Sequence, residues 1–431
     1  MTPLAFQPPP LKQGRNIGYG LRVKGKGLRF PFTPHPLIPL PLTPHPLTLH
    51  PFHHYSDFTM KILQLGKFYP IKGGVEKVMY DLMLGLSGRG VQCDMLCASF
   101  EGKSMSIRIN DNACLMATST LLQKAATMIS PSMVHRLSAI AGEYDVIHVH
   151  HPDPMACMAL SMSGYKGKVV LHWHSDILKQ RVLLKMYKPL QKWLIGRADI
   201  IVGTSPVYVK ESPFLQHVQD KITYLPIGVP PMLPMPGASE TLHGRYPGKK
   251  IVFTLGRLVE YKGYESLIEA AKELGDGYVV LIGGTGPLKE KLQRKIAECG
   301  LQERVKLLGY LRDEEVPLYF NGCDLFCLSS VMKTEAFGIV QIEAMSCGKP
   351  VVATKIPHSG VSWVNEDGVS GLNAEPGDAV SLANCIRRVL EDKDTYARFC
   401  QGARTRYEQF FTQEKMIDKC VGIYERVMGE R

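Results

Sequence analysis

None of the 11 cysteines in this 431-residue chain lies before position 60, and no two Cys-x-x-Cys pairs stand together. Cys93/Cys97 and Cys323/Cys327 are spaced Cys-x-x-x-Cys within apolar runs that read as strands, without the paired ligands or nearby histidine cluster of a zinc site. The count is odd, so the pattern predicts buried reduced thiols and a reducing, cytosolic compartment. A mean hydropathy of −0.05 excludes a polytopic membrane protein. A hydrophobic content of 45% excludes a wholly disordered or collagen-like chain. No nucleic-acid recognition motif accompanies the formal charge of +11, so DNA binding is not expected.

Proline is abundant but unevenly placed. Residues 1–59 hold 12 of the 30 prolines, and six basic residues there face a single acid, Asp57, which accounts for five of the eleven net charges. The segments Phe32–Leu37 and Leu42–Leu47 are near-copies. Proline at this density removes backbone donors and forbids a helix, so neither a membrane span nor a signal-peptide core is expected. The reading is an extended or disordered tail. Met60 opens Met-Lys-Ile-Leu-Gln-Leu-Gly, a strand-like start, so residues 1–59 are read as upstream sequence from a misassigned start codon.

From Met60 onward, short apolar runs alternate with amphipathic stretches. Lys61–Gly66, Val146–His150, Val169–His174, Ile200–Thr204, Ile251–Gly256, Tyr278–Gly283, Val305–Gly309, Leu325–Ser329 and Val351–Thr354 read as buried strands. Helical periodicity falls at Val75–Leu86, Tyr264–Leu274 and Leu288–Cys299. That order predicts an α/β class with doubly wound parallel sheets. Residues 226–248, with six prolines and no periodicity, read as a linker. One domain is placed at 60–235, a second at 249–410, and a final helix within 411–431 that could pack on either. Function is sought in the cleft at the carboxyl ends of both sheets.

Several motifs sit at those strand ends. Gly256-Arg257 to Lys262-Gly263 puts two cations five residues apart, able to converge on a dianionic group. After strand Leu325–Ser329, the apolar pattern Phe337, Ile339, Val340, Ile342, Met345 predicts a buried helix starting near Phe337 and closed by Gly348 and Pro350. Backbone amides at its start, around Phe337, Gly338 and Ile339, can hold a phosphate oxygen. Glu343, two turns inside, should face a polar cavity and accept the hydroxyls of a ribose; the alternative is a buried ion pair. Glu335, ahead of the helix, is expected to be free for sugar hydroxyls. In the first half, Gly73-Gly74 lets backbone approach a ligand and aims a helix N-terminus at it.

Glu335 and Glu343, followed by Ala-Met-Ser-Cys-Gly-Lys-Pro-Val-Val-Ala, resemble the donor-site motif of the retaining glycosyltransferases of family 4, with the GT-B fold of two Rossmann-like domains. Gly256-Arg257 and Lys262-Gly263 match that family's pyrophosphate loop, and Asp367-Gly368-Val-Ser-Gly371 matches a third stretch. The resemblance covers 60 to about 410. It implies a nucleoside diphosphate sugar as donor, no required cofactor and no metal. It also implies donor contacts from Gly73, Gly74, Arg257, Lys262, Glu335, Phe337, Gly338, Ile339 and Glu343, with Gly309, Tyr310 and Leu311 near the base. His174 matches the family's histidine near the reacting sugar, which places His174, Glu335, Arg257 and Lys262 in the catalytic set.

Two histidine groups end strands, at His148, His150, His151 and at His172, His174. A metal reading is set aside because alternate strand residues face opposite ways. His172 is read as a satisfied core histidine, and Asp176 as a residue that orients the acceptor. Residues 178–197 carry six cations and no acid among Leu, Met, Tyr and Trp. They read either as a solvated basic face or as a peripheral contact with an anionic membrane. The expected activity is hexosyl transfer, mannose or rhamnose, to a saccharide or polyprenyl-diphosphate-linked acceptor in surface polysaccharide assembly. A sugar-nucleotide epimerase and a noncatalytic nucleotide-sugar sensor are the alternatives.

Overall fold

The computed structural model describes residues 60–124, 127–177 and 181–429, without the side chains of 124, 127 and 181–186. The proline-rich tail and its start-codon reading lie outside the described residues. An eight-stranded sheet is built from β1 (Lys61–Tyr69), β2 (Gln92–Ser99), β3 (Met105–Asn110) and β4 (Ala113–Thr118), then, beyond a small hairpin of β5 (Leu122–Lys124) and β6 (Thr127–Ile129), from β7 (Val146–His151), β8 (Lys168–Trp173), β9 (Ile200–Gly203) and β10 (Ile222–Tyr224). Its order is β10-β9-β8-β7-β1-β2-β4-β3, and only the β3 edge runs antiparallel. A six-stranded sheet follows from β11 (Lys250–Leu255), β12 (Tyr278–Gly283), β13 (Val305–Gly309), β14 (Leu325–Leu328), β15 (Val351–Thr354) and β16 (Gly371–Ala374). Its order, β13-β12-β11-β14-β15-β16, is the dinucleotide-fold order 3-2-1-4-5-6, parallel throughout.

The apolar runs become central strands because helices cover both faces and leave no polar side. Val279, Val280, Leu281 and Ile282 are all buried. The helix Tyr264–Leu274 buries Tyr264, Leu267, Ile268, Ala271 and Leu274, a one-face spacing, and stops at Gly275 with φ +77°. Strand order reverses between β1 and β7 in one sheet and between β11 and β14 in the other, and each reversal opens a crevice at the carboxyl ends.

One expectation needs correction. Residues 226–248 are not wholly linker, because Ala238–Arg245 forms a helix whose Leu242 is fully buried against Gly322. Its two apolar residues, Ala238 and Leu242, are too few to show a period. The terminal helix Gln413–Gly429 chooses the first sheet: Ile417 packs under Gly85, Tyr424 reaches Gln64 of β1, and Arg89 pairs with Asp418 at 2.5 Å. All 11 cysteines are free; six are buried, and Cys114, Cys299, Cys347, Cys385 and Cys400 are only partly so.

Candidate active site

The second sheet builds one wall from backbone packed against backbone. Gly263 has φ +66°, and a Cβ there would lie 2.0 Å from the carbonyl oxygen of Ser329, so only glycine lets the 256–263 loop pass this close to β14. Gly284, φ +127°, meets the carbonyl oxygen of Gly256 in the same way, and Leu258 donates its amide to Thr285 O at 2.9 Å. The Gly283–Gly286 turn is therefore part of this wall. Sequence reasoning missed it, although three glycines in four residues after a strand were the available signal. Lys262 folds back over Gly256, its Nζ within 3.4 Å of where a Cβ would be, while Arg257 is exposed and forms no ion pair among the described residues.

Glu335 is not free, contrary to the expectation from sequence. Its carboxylate pairs with Lys262 Nζ at 2.5 Å and accepts from Ser330 Oγ at 2.9 Å. Both charged side chains are about nine-tenths buried, at 11% exposure each, which makes this a preformed pair bridging two strand-end loops. The loop is stapled further by Thr354 Oγ1 on the Ser330 carbonyl and Ser359 Oγ on that of Glu335.

The helix begins at Ile339, two residues later than expected, because Gly338 takes φ +76° and breaks the turn ahead of it. Phe337 is buried against Trp363 and Phe411, so only its backbone could serve a ligand. Glu343 is partly buried and has no ion pair among the described residues, so the paired alternative is not realised. It keeps some solvent contact, yet burial pushes its carboxyl up to about 7, with Lys77 pulling it down and Asp313 pushing it up by smaller amounts. Such a group accepts hydroxyl hydrogens strongly once its solvent is displaced.

Gly309, at φ +75°, ends β13 beside the Gly283–Gly286 turn and accepts the Gly284 amide at 2.7 Å. Tyr310 is 72% exposed. Leu311 is core: it sits under Gly283, where a Cβ would meet its Cδ1 at 2.8 Å, so its side chain is not the base contact anticipated.

The first half meets this wall at Gly74, where a Cβ would lie 3.2 Å from Cδ1 of Ile339. The Gly73-Gly74 turn and the start of helix Ile339–Ser346 thus touch across the cleft. At Gly73 a side chain would collide with Glu76 Oε2, and Glu76 is buried with its carboxyl raised by desolvation, partly offset by Lys67. Lys67, unmarked in the sequence reading, holds φ +58° and donates to the Pro152 carbonyl at 2.5 Å, while its amide donates to Asp153. Asp153 also caps helix Pro154–Met162 through the Met155 and Ala156 amides.

Strand alternation, used above to set the histidines apart, instead gathers them. His148 and His150 share one face of β7, and His172 continues it on β8, directly beside His150, with His174 just past the strand's end. The four rings stack at centroid distances of 3.9–5.3 Å. Ring nitrogens of His148, His150 and His172 lie within 4.8 Å of one another, the geometry of a metal candidate among the described residues. The rings lie nearly face to face, 15–33° apart, so their in-plane lone pairs run side by side rather than converge, and both His150 nitrogens are already hydrogen-bonded. His172 is buried as expected but not satisfied: neither ring nitrogen has a partner, and burial lowers it to about 3.

Asp176 cannot orient an acceptor as it stands. Its carboxylate accepts from Trp173 Nε1 at 2.9 Å, Ser212 Oγ at 2.8 Å and Lys333 Nζ at 2.9 Å, with its side chain fully buried. Lys333 comes from the loop that carries Glu335, so the pair ties the two halves together. Of the basic helix, Arg181–Arg197 is described as backbone from residue 181 and with side chains from 187. Lys188, Lys192 and Trp193 are exposed, whereas Tyr187, Gln191, Leu194 and Ile195 face the core. No described helix is long and apolar enough to cross a membrane.

Comparison with known proteins agrees with this geometry. Residues 241–406 match the family model described as glycosyl transferases group 1, and residues 72–232 match that described as glycosyltransferase family 4. Among curated proteins, the chain is 31% identical over 375 residues to O-antigen chain mannosyltransferase C of Escherichia coli, covering 86% of this chain and all of that protein. It is 29% identical to D-rhamnosyltransferase WbpZ of Pseudomonas aeruginosa, covering 82% and 92%. Among solved structures, sucrose-phosphate synthase of Thermosynechococcus elongatus superposes with a TM-score of 0.70 at 20% identity, covering 86% of this chain and all of that one. HepE of Anabaena in complex with UDP superposes with 0.68 at 22%, covering 85% and all.

Proposed function

The chain belongs to the group 1 glycosyl transferases of family 4 with the GT-B fold, and from that membership we propose that it transfers mannose or rhamnose from a nucleoside diphosphate sugar to a saccharide hydroxyl, with retention at the anomeric carbon. The acceptor is a saccharide or a polyprenyl-diphosphate-linked saccharide of a surface polysaccharide. The Lys262–Glu335 pair at the strand ends, with the helix start at Ile339 against Gly74 of the other half, carries this reading. Residues 60–235 form the acceptor domain and 249–410 the donor domain.

In the reaction, negative charge develops on the β-phosphate as the sugar leaves. Arg257, Lys262 and the amides around Gly338 are placed to stabilise it, and Glu343 accepts from the ribose. Lys262 leaves Glu335 for the phosphate, which frees Glu335 for sugar hydroxyls. None of these residues offers a nucleophile on the far face of the sugar, which supports same-face substitution with the departing phosphate taking the acceptor proton. His174 contacts the sugar. The enzyme works in the cytoplasm, with the exposed Lys188, Lys192 and Trp193 face against the anionic membrane that carries the lipid-linked acceptor. The mannosyl- and rhamnosyltransferase names of the two curated relatives support the choice of sugar.

The test is a donor panel of GDP-mannose, UDP-sugars and dTDP-rhamnose, measured for binding and slow hydrolysis. Binding of one donor with release of its sugar is the expected result, and failure of every donor to bind would sink the transferase reading.

A further inference from the structure

Behind His174 runs a line of hydrogen bonds that crosses the first sheet and ends on the terminal helix. His174 Nε2 meets His150 Nδ1 at 2.9 Å, and His150 Nε2 meets Gln64 Oε1 at 2.7 Å. Gln64 Nε2 meets Tyr424 Oη at 3.1 Å and Cys93 Sγ at 3.6 Å, and Tyr424 Oη meets His148 Nδ1 at 2.6 Å. Gln64, His148 and His150 are fully buried, as is Tyr424, and His174 is 4% exposed.

The orientation of the Gln64 amide sets the protons along this line. The amino end of Gln64 carries two hydrogens and faces two acceptors, the Tyr424 oxygen and the Cys93 sulfur, while its carbonyl end faces His150. A carbonyl has no hydrogen to give, so His150 Nε2 must be the donor. Burial holds His148, His150 and His174 well below the ordinary imidazole range, so each ring is neutral with one donor and one acceptor nitrogen. His150 Nδ1 is then an acceptor and His174 Nε2 must donate to it. At the other end, Tyr424 accepts from Gln64 and donates to His148. With Nε2 engaged by His150, Nδ1 is the remaining polar atom of the His174 ring.

We propose that Gln64, His150 and Tyr424 are positioning residues that lock His174 in the Nε2–H tautomer, so that it presents the Nδ1 lone pair to a sugar hydroxyl. The other tautomer would present a hydrogen instead of a lone pair to that hydroxyl, and would cost rate without loosening the donor nucleotide. Tyr424 lies 360 residues from Gln64, so the terminal helix is part of the active-site support and not only a cover for the sheet.

The catalytic part of this inference rests on the transfer reading above; the tautomer itself does not. The full chain labelled with 15N-histidine is examined by long-range proton–nitrogen correlation, with the His174 signal identified by its loss in His174→Gln. The expected pattern is Nε2–H at His174, and a Nδ1–H or mixed pattern overturns the proposal. Gln64→Glu replaces the amide with a carboxylate that favours a doubly protonated His150, whose Nδ1–H then donates to His174. His174 should switch to Nδ1–H, and kcat should fall roughly 10- to 100-fold while the donor KM stays within about threefold. Tyr424→Phe keeps the ring packing and removes only the hydroxyl, so it should give a mixed His174 pattern in a chain that folds even if Gln64→Glu does not. A His174 tautomer unchanged in both folded variants overturns the proposal. A donor panel without binding would sink the transfer reading and leave the tautomer result standing.

Discussion

At the carboxyl ends of the second sheet the polar groups are charges: Lys262 against Glu335 at 2.5 Å, Arg257 exposed, and Glu343 raised toward neutrality. At the carboxyl ends of the first, beside Lys67, Glu76 and Asp153, stand neutral imidazoles, stacked and buried and joined by hydrogen bonds. The difference follows from what each wall must hold. A pyrophosphate is recognised by opposite charge and tolerates reorientation, so its partners can be stored as an ion pair and released when the ligand arrives. Under the proposed function, a sugar hydroxyl near the reacting carbon needs one donor or acceptor at one place, which a buried neutral network supplies with little reorganisation. The buried charged tie between the halves, Asp176 to Lys333, stands apart from the histidine stack and from the Lys262–Glu335 pair.

Four changes would break or sharpen this contrast. Asp176→Ala strands Lys333 and removes the partner of Trp173 and Ser212, so it should lower stability by about 3–5 kcal/mol, read as a fall in the denaturant midpoint. A midpoint unchanged would mean that the tie between the halves contributes nothing. His174→Ala should lower kcat roughly 100-fold or more with donor affinity nearly intact, measured by steady-state assay beside calorimetric donor titration. Equal losses in both would make the histidine wall a binding wall and dissolve the contrast. Arg257→Ala should weaken donor binding by about 1.5–3 kcal/mol, roughly 10- to 100-fold, with a smaller salt dependence than the unaltered protein.

Glu343→Gln is the smallest expected effect on stability and has a defined pH sign. The folded carboxyl lies near 7 and the unfolded one near 4.5, so between those values the native state binds more protons and stability falls as pH rises. The loss is complete above about pH 7. The Gln variant should therefore gain about 1–2 kcal/mol over the unaltered protein at pH 8 and little at pH 4, read from thermal midpoints, while binding donor less tightly. A gain that does not depend on pH would show that the carboxyl is not desolvated.

Much of the donor wall was legible in the sequence, because each piece is local. Arg257, Lys262 and their flanking glycines lie within eight residues, and Glu335 and Glu343 within nine, so spacing alone places them at strand ends. The helix Tyr264–Leu274 was read to the residue from its one-face periodicity. Other readings failed because proximity through space was invisible. The Lys262–Glu335 pair joins positions 73 apart in sequence, and Asp176 was given to the acceptor because nothing nearby announced Lys333. His172 seemed an ordinary core histidine because a strand shows its own alternation but not which residue of the neighbouring strand lies alongside. The Gly283–Gly286 turn looked like any strand end until its contact with Gly256 gave the glycines a reason.

By itself, the order of residues determined the alternation of strands and helices, the parallel sheets, and the loops that carry Arg257 and Lys262, since hydrophobic period and turn chemistry act over a few residues. Only the tertiary structure decided which groups meet: Glu335 held by Lys262, Asp176 consumed by Lys333, and His174 tied through His150 and Gln64 to Tyr424. The reason is physical. Hydrogen-bond direction and desolvation depend on which side chains share a few ångströms of space, and the register of neighbouring strands and the docking of the last helix set that sharing.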